Sequence, residues 1–372
     1  TEEPTEEPTE EPTEEPAVEV THPLGSCPDD LAGYAAAFPA VIAAAGDAAA
    51  IEDWMSTCGS LTEERGELIL TELTGDDLED AVVYPTIVSD IGFGPEGSQG
   101  AVLIYHANAD GSLELVHSPP IYGAPTPLKI DDLNDDGQLD VAWSVESCSI
   151  SCVLEVQIVS WAGDVYTSTI EPGATIAEGT ASFAPVGPDD PGTGQELLLE
   201  GGVSKAPEGG LAVPHTERWQ SIDGGKLRRI DWRYDQESEG GNCLGLRLVE
   251  ADIALQAVDI LGYGEAIKRY TSALTEPLEA CSIFGMTAED ELVLLQGLAS
   301  FRLIQALGLS GDDAGAAAAL DELLQAQPEG PYTSAAQQWL ESYAAEGDPL
   351  AACDAIQQIF DENDELWLIT DQ

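Results

Sequence analysis

The sequence predicts a multidomain α and β protein, in which an antiparallel β-repeat domain is followed by an α-hairpin solenoid. Three observations predict this fold class: an acidic repeat punctuated by proline, short alternating strands over 66–235, and a helical hydrophobic period after residue 241. The changes of pattern divide the 372 residues into four segments. These are a disordered tether over 1–22, a disulfide-closed helical segment over 23–60, three β-repeats over 61–238, and a helical domain over 239–372.

The charge of the chain excludes two classes of partner. There are 70 acidic residues against 12 basic ones, a formal net charge of -58. Such a field repels nucleic acid and anionic membranes and favours divalent cations, basic partners and solubility in salt. We expect the apolar stretches of the sequence to fall short of the ~20 residues that a membrane helix requires, and we therefore predict no transmembrane segment.

The first 16 residues are four copies of Thr-Glu-Glu-Pro. Proline at every fourth position blocks helix and sheet, and the glutamates repel one another, so we expect an extended tether. The segment resembles the spacers that follow the lipidated cysteine of bacterial surface lipoproteins. Because the chain begins with Thr1, we expect that an anchor preceded it and was removed, which implies an extracellular or cell-surface location.

The next segment is helical and rich in alanine. Asp29 and Asp30 open it, it runs to about Thr57, and we expect Pro39 to divide or kink it. The chain has seven cysteines, none in a CxxC pattern, and their spacing suggests local disulfides in an oxidising compartment. Seven reduced core cysteines are the alternative. The candidate pairs are Cys27 with Cys58, Cys148 with Cys152, and Cys243 with Cys281, which leaves Cys353 as a buried small hydrophobe.

Three β units follow with a period near 60 residues. Each has an acidic loop, an apolar strand and a hairpin around a glycine-containing turn, a pattern typical of an antiparallel array. The acidic loops are Glu72–Asp80, Asp132–Asp140 and Asp189–Glu196, and the turns are Asn108–Gly111, Ala162–Asp164 and Asp223–Gly225.

The C-terminal domain shows small and large apolar residues on one helical face. The run Tyr263–Leu274, with its Tyr-x-Glu-Ala-Ile-x-x-Tyr-x-x-Ala-Leu pattern, resembles tetratricopeptide repeats. Asp312–Pro328 and Trp339–Phe360 are predicted to form further helix pairs. The resemblance implies a solenoid that offers a concave surface to a protein partner.

The clearest chemical feature is the second acidic loop. Its oxygen-bearing side chains stand at positions 1, 3, 5 and 9, and Gly137 at position 6 permits a tight turn. This spacing supplies the oxygens that Ca²⁺ prefers. Trp143 stands where an EF-hand would carry its bidentate glutamate, and the flanks read as strands, so the loop is not an EF-hand. The candidate ligands are Asp132, Asn134, Asp136, Gln138 and Asp140.

At these residues the sequence resembles the FG-GAP or VCBS repeats of integrin heads and bacterial surface proteins. The resemblance implies propeller-blade-like units in which the loop binds Ca²⁺ by four side chains and by the Gln138 backbone. Three units fall short of the four to eight blades of a closed propeller. The third loop loses the spacing, and we expect no ion there. A second, weaker site is implied at Glu72, Thr74, Asp76 and Asp80, where Asp77 replaces the glycine.

Nothing in the sequence predicts catalysis. The four histidines are scattered, and nucleophile elbows, phosphate-binding loops and dinucleotide fingerprints are absent from the sequence. We expect His106 and His117 to form a cross-strand surface pair, and the tryptophans on predicted strands to pack in the core. The predicted function is a non-catalytic, adhesion-type module that binds a protein or self-assembles. Alternatives are a secreted hydrolase or accessory carbohydrate-binding protein, and a structural subunit of a surface layer or filament.

Overall fold

The structure is a computed structural model. It describes residues 21–62, 66–88, 98–148, 151–188, 190–202, 213–238, 241–281 and 286–362. Within these ranges, antiparallel sheets precede a C-terminal helical region, which confirms the predicted order of β and α structure. The sheets of the described ranges are open and form no closed barrel or propeller. Residues 1–20, which hold the four tether repeats, lie outside the described residues.

A short hairpin and two helices begin the described chain: β1 (Thr21–His22), β2 (Gly25–Ser26), α1 (Leu31–Ala45) and α2 (Ala48–Thr57). Asp30 caps α1, because its carboxylate accepts a hydrogen bond from the Gly33 amide at 2.7 Å. Pro39 was expected to divide or kink the helix; it lies inside α1 and does not divide it. The division falls instead at Gly46, whose φ of 80° ends α1, and Asp47 then caps α2.

Fifteen strands follow among the described residues, and the larger sheets form by antiparallel pairing of strands close in sequence. Sheet 1 has the order β3-β4-β7-β8, sheet 2 has β9-β10-β11-β12 with β13 beside β11, sheet 3 has β14-β15-β16-β17, and β5 pairs with β6. The strands are β3 (Glu67–Thr71), β4 (Asp80–Tyr84), β5 (Thr86–Val88), β6 (Ser98–Gly100), β7 (Leu103–Ala107), β8 (Leu113–His117), β9 (Pro125–Asp131), β10 (Asp140–Cys148), β11 (Cys152–Trp161), β12 (Tyr166–Ser168), β13 (Thr175–Ala177), β14 (Thr180–Pro185), β15 (Thr193–Gly201), β16 (His215–Ser221) and β17 (Arg228–Tyr234).

The sheets stack as layers because alternate residues of each strand enter different cores. In β4, Ala81 and Val83 pack with α1 and α2, whereas Val82 and Tyr84 pack with sheet 2. In β10, Trp143 joins the core between sheets 1 and 2, and the neighbouring Ala142 joins the core between sheets 2 and 3. Both faces of sheet 2 are therefore covered, which explains why the first six residues of β10 are all buried.

The helical region begins beside sheet 3. Leu246 packs with Tyr234 of the last strand, and a disulfide ties the start of the region to Cys281. Glycines with positive φ end three of its helices, at Gly262, Gly311 and Gly347. The helices are α3 (Leu244–Gln256), α4 (Val258–Leu261), α5 (Tyr263–Thr275), α6 (Ala288–Ser310), α7 (Asp313–Ala326), α8 (Pro331–Glu346) and α9 (Pro349–Asp361).

Ion pairs also connect sheet 3 with the helices. The guanidinium of Arg269 in α5 lies 2.6 Å from the carboxylate of Asp231 in β17, and both side chains are nearly buried. Arg233 of the same strand pairs with Glu265 of α5 at 3.2 Å. Sequence reasoning missed this junction, although nine of the 12 basic residues lie between positions 218 and 302.

Helix α6 corrects the statement that no apolar stretch approaches membrane length. It has 23 residues and is long and apolar enough to span a bilayer by length and composition alone. The stretch 293–310 carries a single charge, Arg302. Residues 289–291 at the start of the helix are all acidic, and this charge hides the apolar length of the helix in the sequence. More than half of the apolar window is buried against the other helices, as in the core helix of a folded domain.

All three predicted disulfides are present: Cys27–Cys58, Cys148–Cys152 and Cys243–Cys281. The prediction for Cys353 is wrong in one respect, because this free cysteine is exposed rather than buried. The buried positions of α9 are Ala352, Ile356 and Phe360, which recur at helical spacing. Cys353 follows the first of them and therefore lies beside that apolar stripe, outside the core.

Candidate metal centre

The predicted calcium loop connects β9 to β10, so strands flank it, as expected for a loop that is not an EF-hand. Two of its residues have positive φ: Asp135 at 62° and Gly137 at 87°. The loop therefore turns twice within a few residues. Gly137 accommodates the second turn without strain, because it has no Cβ to clash with the backbone.

The loop side chains bond mainly to the loop's own backbone. Asp132 accepts hydrogen bonds from the amides of Asp136, at 3.1 Å, and Gly137, at 2.9 Å. Asp136 accepts one from the amide of Gln138 at 2.9 Å. These bonds hold carboxylate oxygens on the inner side of the turn and use only part of their capacity to accept.

Asn134 anchors the loop to another hairpin. Only 1% of its surface is exposed. Its side-chain amide donates to the carbonyl of Gly224, 90 positions along the chain, at 3.1 Å, and to a carboxylate oxygen of Asp136 at 3.0 Å. The loop is thus fixed against the turn between β16 and β17.

Asp140, the last candidate ligand, is fully buried. Its two oxygens accept hydrogen bonds from the amide of Leu133, at 2.9 Å, and from the hydroxyl of Thr169, at 2.8 Å. Burial raises the pKa of this carboxyl to about 6, and the charges of Asp136 and Asp132 add to the rise against the effect of those hydrogen bonds. Negative charge is therefore costly at this position.

The donor set suits a hard cation. It consists of carboxylate, amide and carbonyl oxygens, and within the described residues no lysine or arginine forms an ion pair with Asp132, Asp136 or Asp140. These three carboxylates do not bring one oxygen each within 4.8 Å of one another. The chemistry of the residues fits Ca²⁺, and their oxygens would have to move closer together to bind it.

The first acidic loop, between β3 and β4, has the same frame as the second. Asp80 is fully buried and accepts from the Leu73 amide at 2.9 Å, as Asp140 does from Leu133. Positive φ occurs at the equivalent positions, 81° at Gly75 and 63° at Asp77. Aspartate thus occupies the position that glycine holds in the second loop. Glu72 closes this loop by accepting from the amides of Thr74, Gly75 and Asp76.

The third acidic loop, which follows β14 and leads into β15, has a basic partner on a neighbouring strand. Arg218 of β16 donates to Asp190 at 2.9 Å and to Glu196 at 2.7 Å. Gln220 also donates to Glu196 at 2.6 Å. A guanidinium therefore neutralises the carboxylates of this loop, where the sequence predicts no ion. Asp189, its first residue, lies outside the described residues.

One group of His, Cys, Asp or Glu side chains does place three ligand atoms within 4.8 Å of one another in the described part of the chain: Glu146, Cys148 and Cys152. The two sulfur atoms are bonded to each other, so they are not available as thiolate ligands. This group is a cross-strand disulfide beside a carboxylate, and we assign it no metal.

The histidine pair predicted across the first hairpin does not form as expected. His106 lies opposite Glu114, and His117 lies opposite Ile104, because the register shifts along β7 and β8. Both rings instead approach Tyr166 of sheet 2, and His106 Nε2 lies 2.9 Å from its hydroxyl. Tertiary packing between two sheets brings these groups together, which hairpin spacing could not reveal.

The four tryptophans predicted on strands all lie on strands: Trp143 in β10, Trp161 in β11, Trp219 in β16 and Trp232 in β17. Trp143 and Trp219 are buried in cores, as expected, whereas Trp161 and Trp232 are partly buried against them.

Comparison with known proteins adds no relative: no protein-family profile matches the chain, and no curated protein sequence matches it.

Proposed function

We propose that the chain is an extracellular, surface-tethered and calcium-stabilised module that binds a protein or assembles with itself, without catalytic activity. Its three larger sheets are propeller-blade-like repeats of the FG-GAP or VCBS type, and its helical region is a tetratricopeptide-like solenoid. Ca²⁺ is the cofactor, and its role is structural.

The observation that carries the proposal is the common frame of the first two acidic loops. Each connects the first two strands of its sheet, each has positive φ at positions 4 and 6, and each has a buried aspartate at position 9 bonded to the amide of position 2. Two loops about 60 residues apart share these features. Such agreement favours repeated units with the same cation-binding role over two unrelated acidic turns.

The third loop supports a cation-binding role for the second loop, because its own carboxylates are neutralised in a different way. There Arg218 supplies positive charge to Asp190 and Glu196. In the second loop, Asp132, Asp136 and Asp140 have no basic partner among the described residues, and the charges of Asp132 and Asp136 contribute to the raised pKa of Asp140. A divalent cation would supply the missing charge, with Asp132, Asn134, Asp136 and Asp140 as side-chain ligands and Gln138 as the backbone ligand.

The cysteines and the tether support the proposed extracellular location. Disulfides persist in oxidising compartments, where Ca²⁺ is also plentiful, and three of them join six of the seven cysteines. The acidic N-terminal repeat suits a spacer between a membrane anchor and the folded part. The partner is expected to have a basic surface, because the net charge of -58 steers such proteins toward the chain.

Thermal unfolding with Ca²⁺ and with EGTA tests the calcium proposal. If free Ca²⁺ is 100 times its dissociation constant, binding adds about 2.7 kcal/mol to the free energy of unfolding and raises the midpoint. The double variant Asp132→Asn/Asp136→Asn should lose this increase. Asp164→Asn, at an exposed hairpin turn, is the matched control and should keep it. An unchanged midpoint in the parent chain would contradict the proposal.

A separate experiment tests the partner. Sedimentation velocity of the parent chain with Ca²⁺ and with EGTA would detect assembly between copies as an increase in mass. Immobilised chain incubated with surface extracts at low and high salt would detect a basic protein partner, whose retention should fall as salt rises. Absence of both self-association and salt-sensitive capture would contradict the proposed binding role. It would not contradict the calcium proposal.

A further inference from the structure

A cavity of about 370 Å³ lies at the boundary between sheets 1 and 2. One wall is the connection between β8 and β9, which includes Pro119, Pro120 and Tyr122. The other wall is formed by β10 and β11. We call this cavity the Tyr122 pocket, and its size is within the range of small-molecule sites.

The strand wall presents one face of sheet 2. Trp143 lies opposite Gln157, and Val145 lies opposite Glu155, so the four side chains project to the same side. The buried Trp143 contributes to the floor of the pocket, whereas Glu155 is exposed. Apolar and hydrogen-bonding groups therefore stand side by side in one concave surface.

Tyr122 is an exposed ring on an anchored backbone. Its side chain is 74% exposed, the highest value for an aromatic side chain among the described residues. Its carbonyl accepts a hydrogen bond from the Ser147 hydroxyl at 3.3 Å, and the carbonyl of the next residue, Gly123, accepts one from the Gly100 amide at 2.7 Å. The exposed ring offers an apolar face to a ligand, and its anchored backbone loses little further entropy on binding.

The polar groups of the pocket can both donate and accept. The Gln157 side-chain amide donates to one oxygen of Glu155, which leaves the other carboxylate oxygen and the Gln157 carbonyl as acceptors. The indole N–H of Trp143 has no hydrogen-bond partner among the described residues. A buried donor without an acceptor costs free energy, so this N–H is a polar group that the fold leaves unsatisfied beside the pocket.

We propose that the Tyr122 pocket binds a neutral saccharide. A pyranose ring offers an apolar face for the tyrosine and hydroxyl groups that donate to Glu155 and Gln157 and accept from donors of the wall. Anionic ligands are disfavoured, because Glu155 and the net charge of -58 repel them. The proposal is independent of calcium binding and goes beyond the protein-binding role proposed above.

Titration calorimetry with a panel of neutral hexasaccharides, built from glucose, xylose or N-acetylglucosamine, tests the proposal. We expect millimolar or tighter binding of at least one member and little dependence on salt. Tyr122→Ala should weaken it about ten-fold or more, equivalent to about 1.4 kcal/mol of lost contact, whereas Tyr122→Phe should retain most of the affinity. Gln157→Ala should weaken it as well. Leu350→Ala, which alters a side chain 76% exposed on α9, is the matched control and should have no effect.

Three results would overturn the proposal. The first is no binding of any panel member at millimolar concentration while circular dichroism and the unfolding midpoint show a folded chain. The second is saccharide binding that Tyr122→Ala and Gln157→Ala leave unchanged. The third is salt-sensitive binding of hexalysine in place of the saccharides, abolished by Glu155→Gln, which would assign the pocket to a basic peptide.

Discussion

Asp140 holds its loop by two hydrogen bonds, and this role can be separated from ion binding. Replacing it by alanine in EGTA leaves the Leu133 amide and the Thr169 hydroxyl without their acceptor. Because each unsatisfied buried donor costs about 1–3 kcal/mol, we expect Asp140→Ala to lower the free energy of unfolding by about 2–4 kcal/mol. Urea unfolding monitored by tryptophan fluorescence measures the difference.

Asp80 provides an internal comparison for that prediction. It is equally buried and bonds to the amides of Leu73 and Ala107. Asp80→Ala should therefore cost a similar amount, whereas Asp164→Ala at an exposed turn should cost little. If Asp140→Ala were neutral in EGTA, its hydrogen bonds would not stabilise the loop.

The two half-buried histidines beside Tyr166 predict a pH dependence of stability. Burial lowers the pKa of both His106 and His117 from the ordinary value of 6.5, although the carboxylates of Asp80 and Asp76 oppose the shift at His106. The unfolded chain then binds more protons below pH 6.5, so this contribution to stability is full above pH 6.5 and is lost as pH falls. His117→Gln should lose less stability than the parent between pH 7 and 5. Urea unfolding at several pH values measures the two slopes, and parallel slopes would contradict the prediction.

At the residue scale, the features that could be predicted from the sequence are those that the spacing of nearby residues determines. The Cys148–Cys152 disulfide and the loop frame depend on separations of a few residues, and both could be predicted. The other two disulfides span 31 and 38 positions, and they could be predicted because each pair lies within one structural unit. The anchoring of Asn134 on Gly224 could not, because it joins residues 90 positions apart through the packing of two sheets. The approach of His106 and His117 to Tyr166 was hidden for the same reason.

The disulfides differ in the length of chain that they close, and this predicts a ranking of stability. Cys243–Cys281 spans 38 positions, whereas Cys148–Cys152 spans four. A cross-link that closes a longer loop removes more entropy from the unfolded chain, by about 2 kcal/mol for this pair of lengths. We therefore expect the variant Cys243→Ser/Cys281→Ser to lose about 2 kcal/mol more than Cys148→Ser/Cys152→Ser. Denaturant unfolding of both variants at equal protein concentration measures the ranking.

The reverse ranking would show that the Cys148–Cys152 disulfide stabilises the folded state directly, in addition to reducing the entropy of the unfolded chain. It closes the end of the β10–β11 hairpin, where the two cysteines are directly opposite each other. The double variant Cys27→Ser/Cys58→Ser, whose loop spans 31 positions, should lie close to the Cys243–Cys281 variant.

At the element scale, hydrophobic periodicity predicted the order of strands and helices, whereas proline and acidic residues gave wrong helix boundaries. Pro39 was expected to divide or kink a helix, yet its fixed φ is compatible with helical backbone and the division occurs at Gly46. Helix α6 was missed as a long apolar helix because acidic residues crowd its first turn. Those residues favour the positive end of the helix dipole, so they mark the start of the helix rather than interrupt it.

For the whole molecule, two effects of salt oppose each other. Repulsion within a net charge of -58 destabilises the compact chain and is screened by salt. Ion pairs such as Arg233–Glu265 and Arg269–Asp231, which join sheet 3 to the helices, are stabilising and are also weakened by salt. The pairs are few and the repulsion involves most of the surface, so repulsion should dominate.

We therefore expect the unfolding midpoint in EGTA to rise as NaCl increases from about 0.01 M, where the Debye length is roughly 30 Å, to about 0.15 M, where it is roughly 8 Å. Asp132→Asn/Asp136→Asn should show nearly the same rise, because it removes only two of the 70 acidic residues. A midpoint that falls with NaCl would mean that the ion pairs at the junction outweigh the repulsion. Arg269→Met, which removes the nearly buried pair, should then flatten the salt dependence, since the lost stability would reside in that contact.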